Sequence, residues 1–240
     1  MSLDLLCFSP HPDDAELSCG GWLALCAKRR QRAGICDLTN GERASNGTPE
    51  GRKAEATRAA GILGLSSRIA LGLPDAGIDV DDASVVAVIE VIRSERPRIV
   101  LAPWVESRHP DHARAGVLVR RAAYLAGLSR YGRGVPHRPR LLHYGQRHEL
   151  RPDLVVDISS VIQTKRDAIA AHVSQVGPGT PTLVNQPVGR DAWEVRDRYW
   201  GASIGVAHGE AYLLGTPIPV SDPLAHFHAH PAVPALVPVR

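Results

Sequence analysis

Short runs of apolar residues alternate along the chain with stretches in which apolar residues recur every three or four positions. The short runs are typical of buried strands, and the longer periodic stretches are typical of helices packed against a sheet. Strands are predicted at residues 3–9, 33–39, 68–73, 98–103, 141–145 and 154–158. Helices are predicted at residues 15–32, from 49 to the 61–64 region, 82–95, 113–128 and 161–172. The start of the second helix is indicated by Thr48 as an N-cap and Pro49 at the first helical position. This order predicts an α/β fold with a Rossmann-like, open and mostly parallel sheet and helices on both faces.

The pattern also predicts where this domain ends. We expect a single domain over residues 1–215, and an extended C-terminal arm over residues 216–240, which contains several prolines and three alternating histidines, His226, His228 and His230. Residues 176–192 carry several glycines and prolines and are predicted to form an irregular loop. A chain of 240 residues is within the range that such folds occupy as one domain.

Composition narrows the class of protein. The 28 basic and 25 acidic residues are spread along the chain, so the net charge of +3 gives no indication of nucleic-acid binding. The sequence lacks a run of about 18 apolar residues, and its start does not resemble a secretory signal, so we expect a cytoplasmic protein without a membrane partner. The four cysteines, Cys7, Cys19, Cys26 and Cys36, are therefore predicted to be reduced.

Two short segments rich in histidine and aspartate follow predicted strands. The first is His-Pro-Asp-Asp-Ala-Glu at residues 11–16, after the first strand, and the second is His-Pro-Asp-His at residues 109–112, after the fourth. Ligands of open α/β sheets bind in the crevice at the carboxyl ends of the strands. Two loops a hundred residues apart in sequence can therefore converge on one site.

The residue types of these segments fit a catalytic divalent metal ion. Such an ion needs about three protein ligands, drawn from histidine and carboxylate, and an open position for water. His11 and Asp14 are three residues apart at a predicted helix start and can face the same side, and His112 can complete the set. We expect one Zn²⁺ per subunit at this site.

The remaining polar residues of the two segments fit catalytic roles beside such an ion. Asp13 is adjacent to a predicted ligand and can take a proton from water. His109 can stabilise a developing oxyanion, and Asp111 can fix the tautomer and orientation of His109. For Asp111 a helix-capping role is an equally plain interpretation, and Glu16 can be no more than a favourable charge in a first helical turn.

Together with Gly20-Gly21, the two segments resemble the PIG-L or LmbE-like family of zinc-dependent deacetylases. The resemblance covers about residues 3–175 and the Arg-Tyr-Trp-Gly stretch at residues 198–201. Further segments at residues 37–42, 47–50, 71–75 and 108–112 are similar to the bacillithiol-pathway branch, which deacetylates N-acetylglucosaminyl malate. The family pattern implies the same roles for His11, Asp13, Asp14, His109 and His112 as the chemistry above.

The resemblance also implies a substrate and an assembly. It implies removal of the N-acetyl group from N-acetyl-α-D-glucosaminyl L-malate, with Arg52, Arg108 and Tyr199 as substrate-binding residues, in a homo-oligomer such as a hexamer. An arginine suits a malate carboxylate because its guanidinium donates two parallel hydrogen bonds. The sequence departs from this branch at Ser18, at Asn40 and in its long tail, so another N-acetylated amino sugar or glycoconjugate stays an alternative.

Three other classes of protein agree less well with the sequence. A dinucleotide-binding domain would need a Gly-x-Gly-x-x-Gly turn after the first strand, where this chain has carboxylates. A two-metal phosphoesterase would need more convergent ligands than the two segments supply. A non-catalytic carbohydrate-binding relative would have no need for Asp13 and His109, which this chain contains.

Overall fold

The computed structural model describes residues 2–145 and 151–225. Seven strands are assigned in this part of the chain: β1 Leu5–Ser9, β2 Ala33–Thr39, β3 Ser67–Leu73, β4 Ile99–Pro103, β5 Arg140–Tyr144, β6 Leu154–Asp157 and β7 Gly209–Leu214. The helices are α1 Asp14–Lys28, α2 Pro49–Leu63, α3 Asp82–Glu95, α4 Pro110–Leu125, α5 Ile162–Ala170, α6 Val173–Val176 and α7 Pro187–Ser203. A short 3-10 turn, Ser159–Val161, precedes α5.

The seven strands form one mixed sheet in the order β3-β2-β1-β4-β5-β7-β6. The strands from β3 to β5 are parallel to one another, whereas β7 runs antiparallel to both β5 and β6. The chain order reverses between β1 and β4, which lie side by side in the middle of the sheet. This is the topological switch point at which open α/β sheets form a ligand crevice. The predicted fold class is confirmed.

Helices cover both faces of the sheet, and the strands alternate their side chains between two cores. In β1, Leu6 and Phe8 pack with α3 and α4, while Leu5 and Cys7 pack with α1, α2 and α5. This alternation follows from the two-residue repeat of a strand. Burial on both faces explains why β1 and β2 contain few polar residues. The four cysteines are buried and free, as predicted.

Local signals fix the start of α2. Thr48 accepts a hydrogen bond from the backbone N–H of Gly51, and Pro49 occupies the first turn, as the sequence predicts.

A glycine lets α4 pack closely on β4. In α4, a Cβ atom on Gly116 would lie 2.6 Å from the carbonyl oxygen of Pro103 at the end of β4. A larger residue would push the helix away from the strand, so this glycine keeps the start of α4 close to the crevice.

Several predicted bounds are wrong, most of all in the second half of the chain. Helix α4 begins at Pro110 rather than at residue 113, so His112 lies in its first turn. Residues 176–192 are not wholly irregular, because α7 begins at Pro187, and β7 was not predicted. The predicted helix at 161–172 corresponds to α5, which ends at Ala170; a 3-10 turn precedes α5, and α6 begins at Val173, beyond the predicted end. Helix α7 is polar on average and packs chiefly on β7, so its pattern does not indicate a deeply buried helix.

Residues 215–225, which follow β7, are exposed and contain no strand, and the three histidines of the predicted arm lie outside the described residues. The extended arm therefore stays a prediction. In the part of the chain that the structure describes, no helix combines the length and apolar character needed to cross a membrane.

Candidate active site

The loop after β1 is held in place by its own backbone and by β2. Ser9 donates its hydroxyl to the carbonyl of His11 at 2.6 Å and accepts the backbone N–H of Ala15 at 3.1 Å. Thr39, at the end of β2, donates both its backbone N–H and its hydroxyl to the carbonyl of Pro10, at 3.1 and 2.9 Å. These bonds fix the turn from which the first histidine and the aspartates project.

His11, Asp14 and His112 converge from the ends of β1 and β4. One oxygen of Asp14, Oδ2, lies 3.1 Å from Nδ1 of His11 and 3.1 Å from Nε2 of His112. One ligand atom from each residue lies within 4.8 Å of those of the other two. Two imidazole nitrogens and a carboxylate oxygen facing one point form a donor set that suits Zn²⁺. The three residues could therefore hold a metal ion.

The electrostatic environment of this cluster favours positive charge. Burial lowers the pKa of His11, but hydrogen bonds to Asp111, Asp14 and Asp75 outweigh it and raise that pKa to about 12. Burial raises the pKa of Asp14, but His112 and His11 bring it well below its usual value. Carboxylates that stabilise an imidazolium would stabilise a divalent cation in the same place, because both reduce the repulsion among buried negative charges.

Asp13 lies beside this cluster in an unusual backbone conformation. It is the residue before α1, is only 6% exposed, and has a φ of 130°, a value that residues other than glycine rarely adopt. Its side chain makes no capping hydrogen bond to the helix. Burial and the charge of Asp14 raise its pKa to about 6, although Arg52 opposes the shift. The strained backbone thus holds a carboxyl group that titrates near neutral pH in the wall of the cavity described below.

Arg52 is 3% exposed and binds the loop that carries Asp13. Its Nη2 donates to the carbonyl of Pro12 at 2.7 Å and lies 3.4 Å from Oδ1 of Asp13, and its Nη1 donates to the carbonyl of Gly41 at 3.1 Å. Gly41 has a φ of +63°, and a Cβ atom there would clash with Nη1. Arg52 borders the cavity, but both terminal nitrogens already bond to protein atoms. Its predicted contact with substrate stays a prediction.

His109 and Asp111 both lie at the start of α4. His109 is the residue before the helix, and its Nδ1 accepts the backbone N–H of Asp111 at 3.2 Å. The ring is exposed, and burial of part of it, together with the charges of His112 and His11, lowers its pKa. The carboxylate of Asp111 is hydrogen-bonded to Nε2 of His11 at 3.2 Å. The side chain that was expected to orient His109 thus contacts a candidate metal ligand, whereas the bond to His109 comes from the backbone of Asp111.

These side chains line a cavity of about 370 Å³ at the carboxyl ends of β1 and β4. Arg108 is exposed at the edge of the cavity, next to His109, and Arg43 also lies in the wall. Tyr199 is not among the lining residues; it is 53% exposed on α7 and packs against the ring of Trp200. The remaining wall residues are His11, Asp13, Asp14, Ala44, Ser45, Arg52, Asp75, Ala76, Ser107, His109, His112, Gln175, Thr182, Leu183 and Val184.

Sequence reasoning missed Asp75 and the buried contacts of Glu16 with Arg68 and His172. Asp75, after β3, lies 3.1 Å from Nε2 of His11. The same rule that selected the other aspartates, an acidic residue just after a strand, could have found it. Glu16 is fully buried, receives a hydrogen bond from Arg68 and lies 3.0 Å from Nε2 of His172. Those contacts come from three distant segments, so no local signal identifies them.

The fold and this cluster define an α/β protein with a candidate metal site at the carboxyl ends of its strands, and comparisons with known proteins give the family. Residues 6–123 match the family described as PIG-L, GlcNAc-PI de-N-acetylase. The chain is 32% identical over 218 residues to a diacetylchitobiose deacetylase of Thermococcus kodakarensis, an alignment that covers 81% of this chain and 74% of that protein. The chain belongs to the PIG-L family and is a hydrolytic N-deacetylase.

Two further comparisons agree with this family. A probable N-acetyl-α-D-glucosaminyl L-malate deacetylase 2 of Bacillus subtilis is 27% identical over 223 residues, covering 83% of this chain and 97% of that protein. The crystal structure of the conserved protein TT1542 from Thermus thermophilus superposes with a TM-score of 0.84 at 40% identity and covers 91% of this chain and 97% of that one. The structural likeness extends over most of the chain, and the family match at residues 6–123 spans both loops of the site.

Proposed function

We propose that this N-deacetylase uses Zn²⁺ to hydrolyse the N-acetyl group of an N-acetylglucosaminyl conjugate whose aglycone is anionic, such as N-acetyl-α-D-glucosaminyl L-malate. The observation that carries this proposal is the convergence of His11, Asp14 and His112 beside Asp13 in one cavity. Arginines at the edge of that cavity supply the argument for an anionic aglycone.

His11, Asp14 and His112 would hold the metal ion. An ion bound there supplies a Lewis acid, which polarises the acetyl carbonyl and lowers the pKa of water. The two imidazoles and one carboxylate leave positions open for water and substrate, as in other catalytic zinc sites.

Asp13 is the proposed general base. Its carboxylate takes a proton from the water that attacks the acetyl carbonyl carbon, and its raised pKa keeps it able to return that proton to the leaving nitrogen. The C–N bond then breaks, and acetate and a free amino sugar form. Arg52 supports this role indirectly, because it holds the loop that carries Asp13.

His109 is the proposed second catalytic group. Its ring lies across the candidate metal site, with its centroid 5.1 Å from that of His11 and 4.8 Å from that of His112. In its protonated form it can donate a hydrogen bond to the carbonyl oxygen as negative charge develops there, or pass a proton to the leaving amine. Its exposure lets it reach a substrate in the cavity.

The choice of substrate rests on Arg108 and Arg43, which border the cavity where an aglycone would leave it. Two guanidinium groups favour a carboxylate-bearing group over a neutral sugar. The Thermococcus relative, which is named for a neutral disaccharide, is the more similar of the two deacetylases compared above. Diacetylchitobiose is therefore the second candidate substrate.

Acetate release from a panel of N-acetylglucosaminides, measured with and without a chelator, tests both the metal dependence and the substrate preference. We expect release that the chelator abolishes and Zn²⁺ restores, with the malate conjugate preferred. Release that is insensitive to the chelator would contradict the metal site. No release from any member of the panel, despite measurable binding, would favour a non-catalytic sugar-binding protein.

Charge reversal separates the two candidate substrates. We expect Arg108→Glu to lower kcat/KM for the malate conjugate by at least about tenfold and to change that for diacetylchitobiose much less, because only the first carries a carboxylate. Arg114→Glu is the matched control, since Arg114 is exposed on α4, the helix that follows Arg108, and is not in the cavity wall. Equal losses for both substrates in Arg108→Glu would remove the argument for an anionic aglycone.

A homo-oligomer and a cytoplasmic location remain predictions made from the sequence. Solution mass would test the first of these directly.

A further inference from the structure

The loop between β3 and α3 contacts the edge of the His11 ring that carries Nε2, whereas Asp14 contacts the edge that carries Nδ1. Oδ1 of Asp75 lies 3.1 Å from Nε2 of His11, on the opposite side of the ring from Nδ1, which lies 3.1 Å from Asp14. Asp75 is 7% exposed, so its carboxylate is held close to this ring and away from bulk water. The imidazole therefore has carboxylate oxygens at both of its nitrogens.

The Asp75 carboxylate is fixed by the neighbouring loop as well. Its second oxygen, Oδ2, accepts the backbone N–H of Arg43 at 2.7 Å, and its own backbone N–H donates to Oε1 of Glu42 at 2.8 Å. The two bonds run in opposite directions between the β2–α2 loop and the β3–α3 loop. This reciprocal pair ties the two loops together next to His11.

The turn at residues 74–77 also holds the carboxylate of Asp111, which is the second carboxylate near Nε2 of His11. The turn is closed by a bond from the N–H of Gly77 to the carbonyl of Pro74, and Ala76 has a φ of 57°. That left-handed conformation is costly for alanine, and it accompanies a bond from the N–H of Ala76 to Oδ2 of Asp111 at 2.8 Å. Asp111 in turn lies 3.2 Å from Nε2 of His11. One turn thus positions both carboxylates that face Nε2.

We propose that Asp75 is a positioning residue for His11: with Asp111 it keeps the proton on Nε2 and directs the lone pair of Nδ1 towards the ion. Carboxylates that hydrogen-bond to the outer nitrogen of a metal-bound histidine fix its tautomer and orientation. The inference rests on the metal site of the proposed function. The loop after β3, which carries Asp75, thereby joins the two histidine-containing segments as a third part of the site.

The test is the affinity for Zn²⁺ alone, measured by competition with a chromophoric chelator on the metal-free full chain. Asp75→Asn retains an amide oxygen for the N–H of Arg43 but loses the negative charge at Nε2 of His11. We expect the dissociation constant for Zn²⁺ to rise by about 10- to 100-fold. Asp79→Asn, which removes an exposed carboxylate from the same loop, is the matched control and should stay within about twofold of the parent.

Activity at saturating Zn²⁺ distinguishes positioning from contact with substrate. We expect Asp75→Asn to recover most of its kcat there, with KM close to that of the parent. A Zn²⁺ affinity equal to that of the parent would overturn the inference, and a raised KM in that variant would assign Asp75 to substrate binding instead. A parent chain that binds no Zn²⁺ would contradict the proposed function itself.

A measurement on the parent removes dependence on any variant that fails to fold. In the Zn²⁺-loaded protein labelled with ¹⁵N-histidine, the nitrogen spectrum should show His11 coordinated through Nδ1 and protonated at Nε2. Coordination of His11 through Nε2 would overturn the inference, because Asp75 and Asp111 could then not hold a proton there.

Discussion

Two of the regions in which this molecule buries charged side chains differ in how their acidic and basic groups are paired. Around Lys165, which is fully buried, Nζ lies 2.5 Å from Asp197 and 2.7 Å from Glu210. Glu210 also accepts the backbone N–H groups of Gly21 and Trp22 and the hydroxyl of Tyr212. These contacts join α1, α5, α7 and β7 in a closed network.

The cavity at the ends of β1 and β4 has the opposite character. Its acidic side chains face one another as well as the histidines, Asp13 has a raised pKa, and the backbone is in positive-φ conformations at Asp13 and Ala76. Backbone strain persists only where the surrounding structure enforces it. Burial of charge alone therefore does not identify the candidate site, whereas several buried carboxylates around histidines, together with backbone strain, do.

The sharpest test of this difference is removal of the charge at Asp13. We expect Asp13→Asn to lower kcat by about 10²- to 10⁴-fold, since that is the usual contribution of a general base, while Zn²⁺ content stays stoichiometric. Asparagine tolerates positive φ better than alanine does, so the fold should not be weakened. Thermal unfolding should show equal or higher stability, because a buried carboxyl group beside Asp14 is removed. Turnover at the parent rate would require another base.

The closed network should respond in the opposite way. Lys165→Met removes the cation that the buried Asp197 and Glu210 share, although Arg196 still pairs with Asp197, and breaking such a pair costs about 3 to 5 kcal/mol of unfolding free energy. Denaturant titration measures this loss, and the Zn²⁺ affinity of the folded variant should match that of the parent. Arg166→Met on the same helix is the control, because its partly exposed pair with Glu194 should contribute at most about 1 kcal/mol. Weakened Zn²⁺ binding in Lys165→Met would show that the two regions are coupled.

Glu16 belongs to the first histidine-containing segment, but its buried contacts with Arg68 and His172 predict that it stabilises the fold. Burial raises its pKa, but Arg68 and His172 outweigh that and bring it to about 2, below its usual 4.5. Its contribution to stability is therefore present above about pH 4.5 and lost as the pH falls towards 2. The pKa of His172 is raised, chiefly by Glu16 against the effect of burial, so its contribution is present below about pH 6.5 and lost as the pH rises through its folded value.

We therefore expect Glu16→Gln to lower the unfolding free energy by about 3 kcal/mol, most strongly between about pH 4.5 and 6.5, since each pKa unit corresponds to about 1.4 kcal/mol. Denaturant titrations of parent and variant across this range measure the difference. Glu50→Gln, at an exposed position in α2, is the control and should change little. A difference that does not depend on pH would mean that the charge of Glu16 is not what stabilises the fold.

Much of the fold could be predicted because its signals are local. The apolar runs of β1 and β4, the cap at Thr48 and the two histidine-containing segments each depend on a few consecutive residues. The second half of the chain was predicted less well. Strand β7 returns antiparallel between β5 and β6, and neither its direction nor its neighbours follow from its own six residues. The start of α7 was hidden by the glycines and prolines of the preceding segment.

The order of strands and helices, and the kinds of side chain available for chemistry, follow from local patterns, because periodicity and short motifs act over a few residues. Which of those side chains meet depends on the three-dimensional fold. The sheet order placed β1 beside β4 and so brought His11 to His112, directed Asp111 and Asp75 to His11, buried Arg52 against the Asp13 loop, and left Tyr199 on an exposed helix face. These outcomes depend on contacts between residues far apart in the chain, which local patterns do not specify.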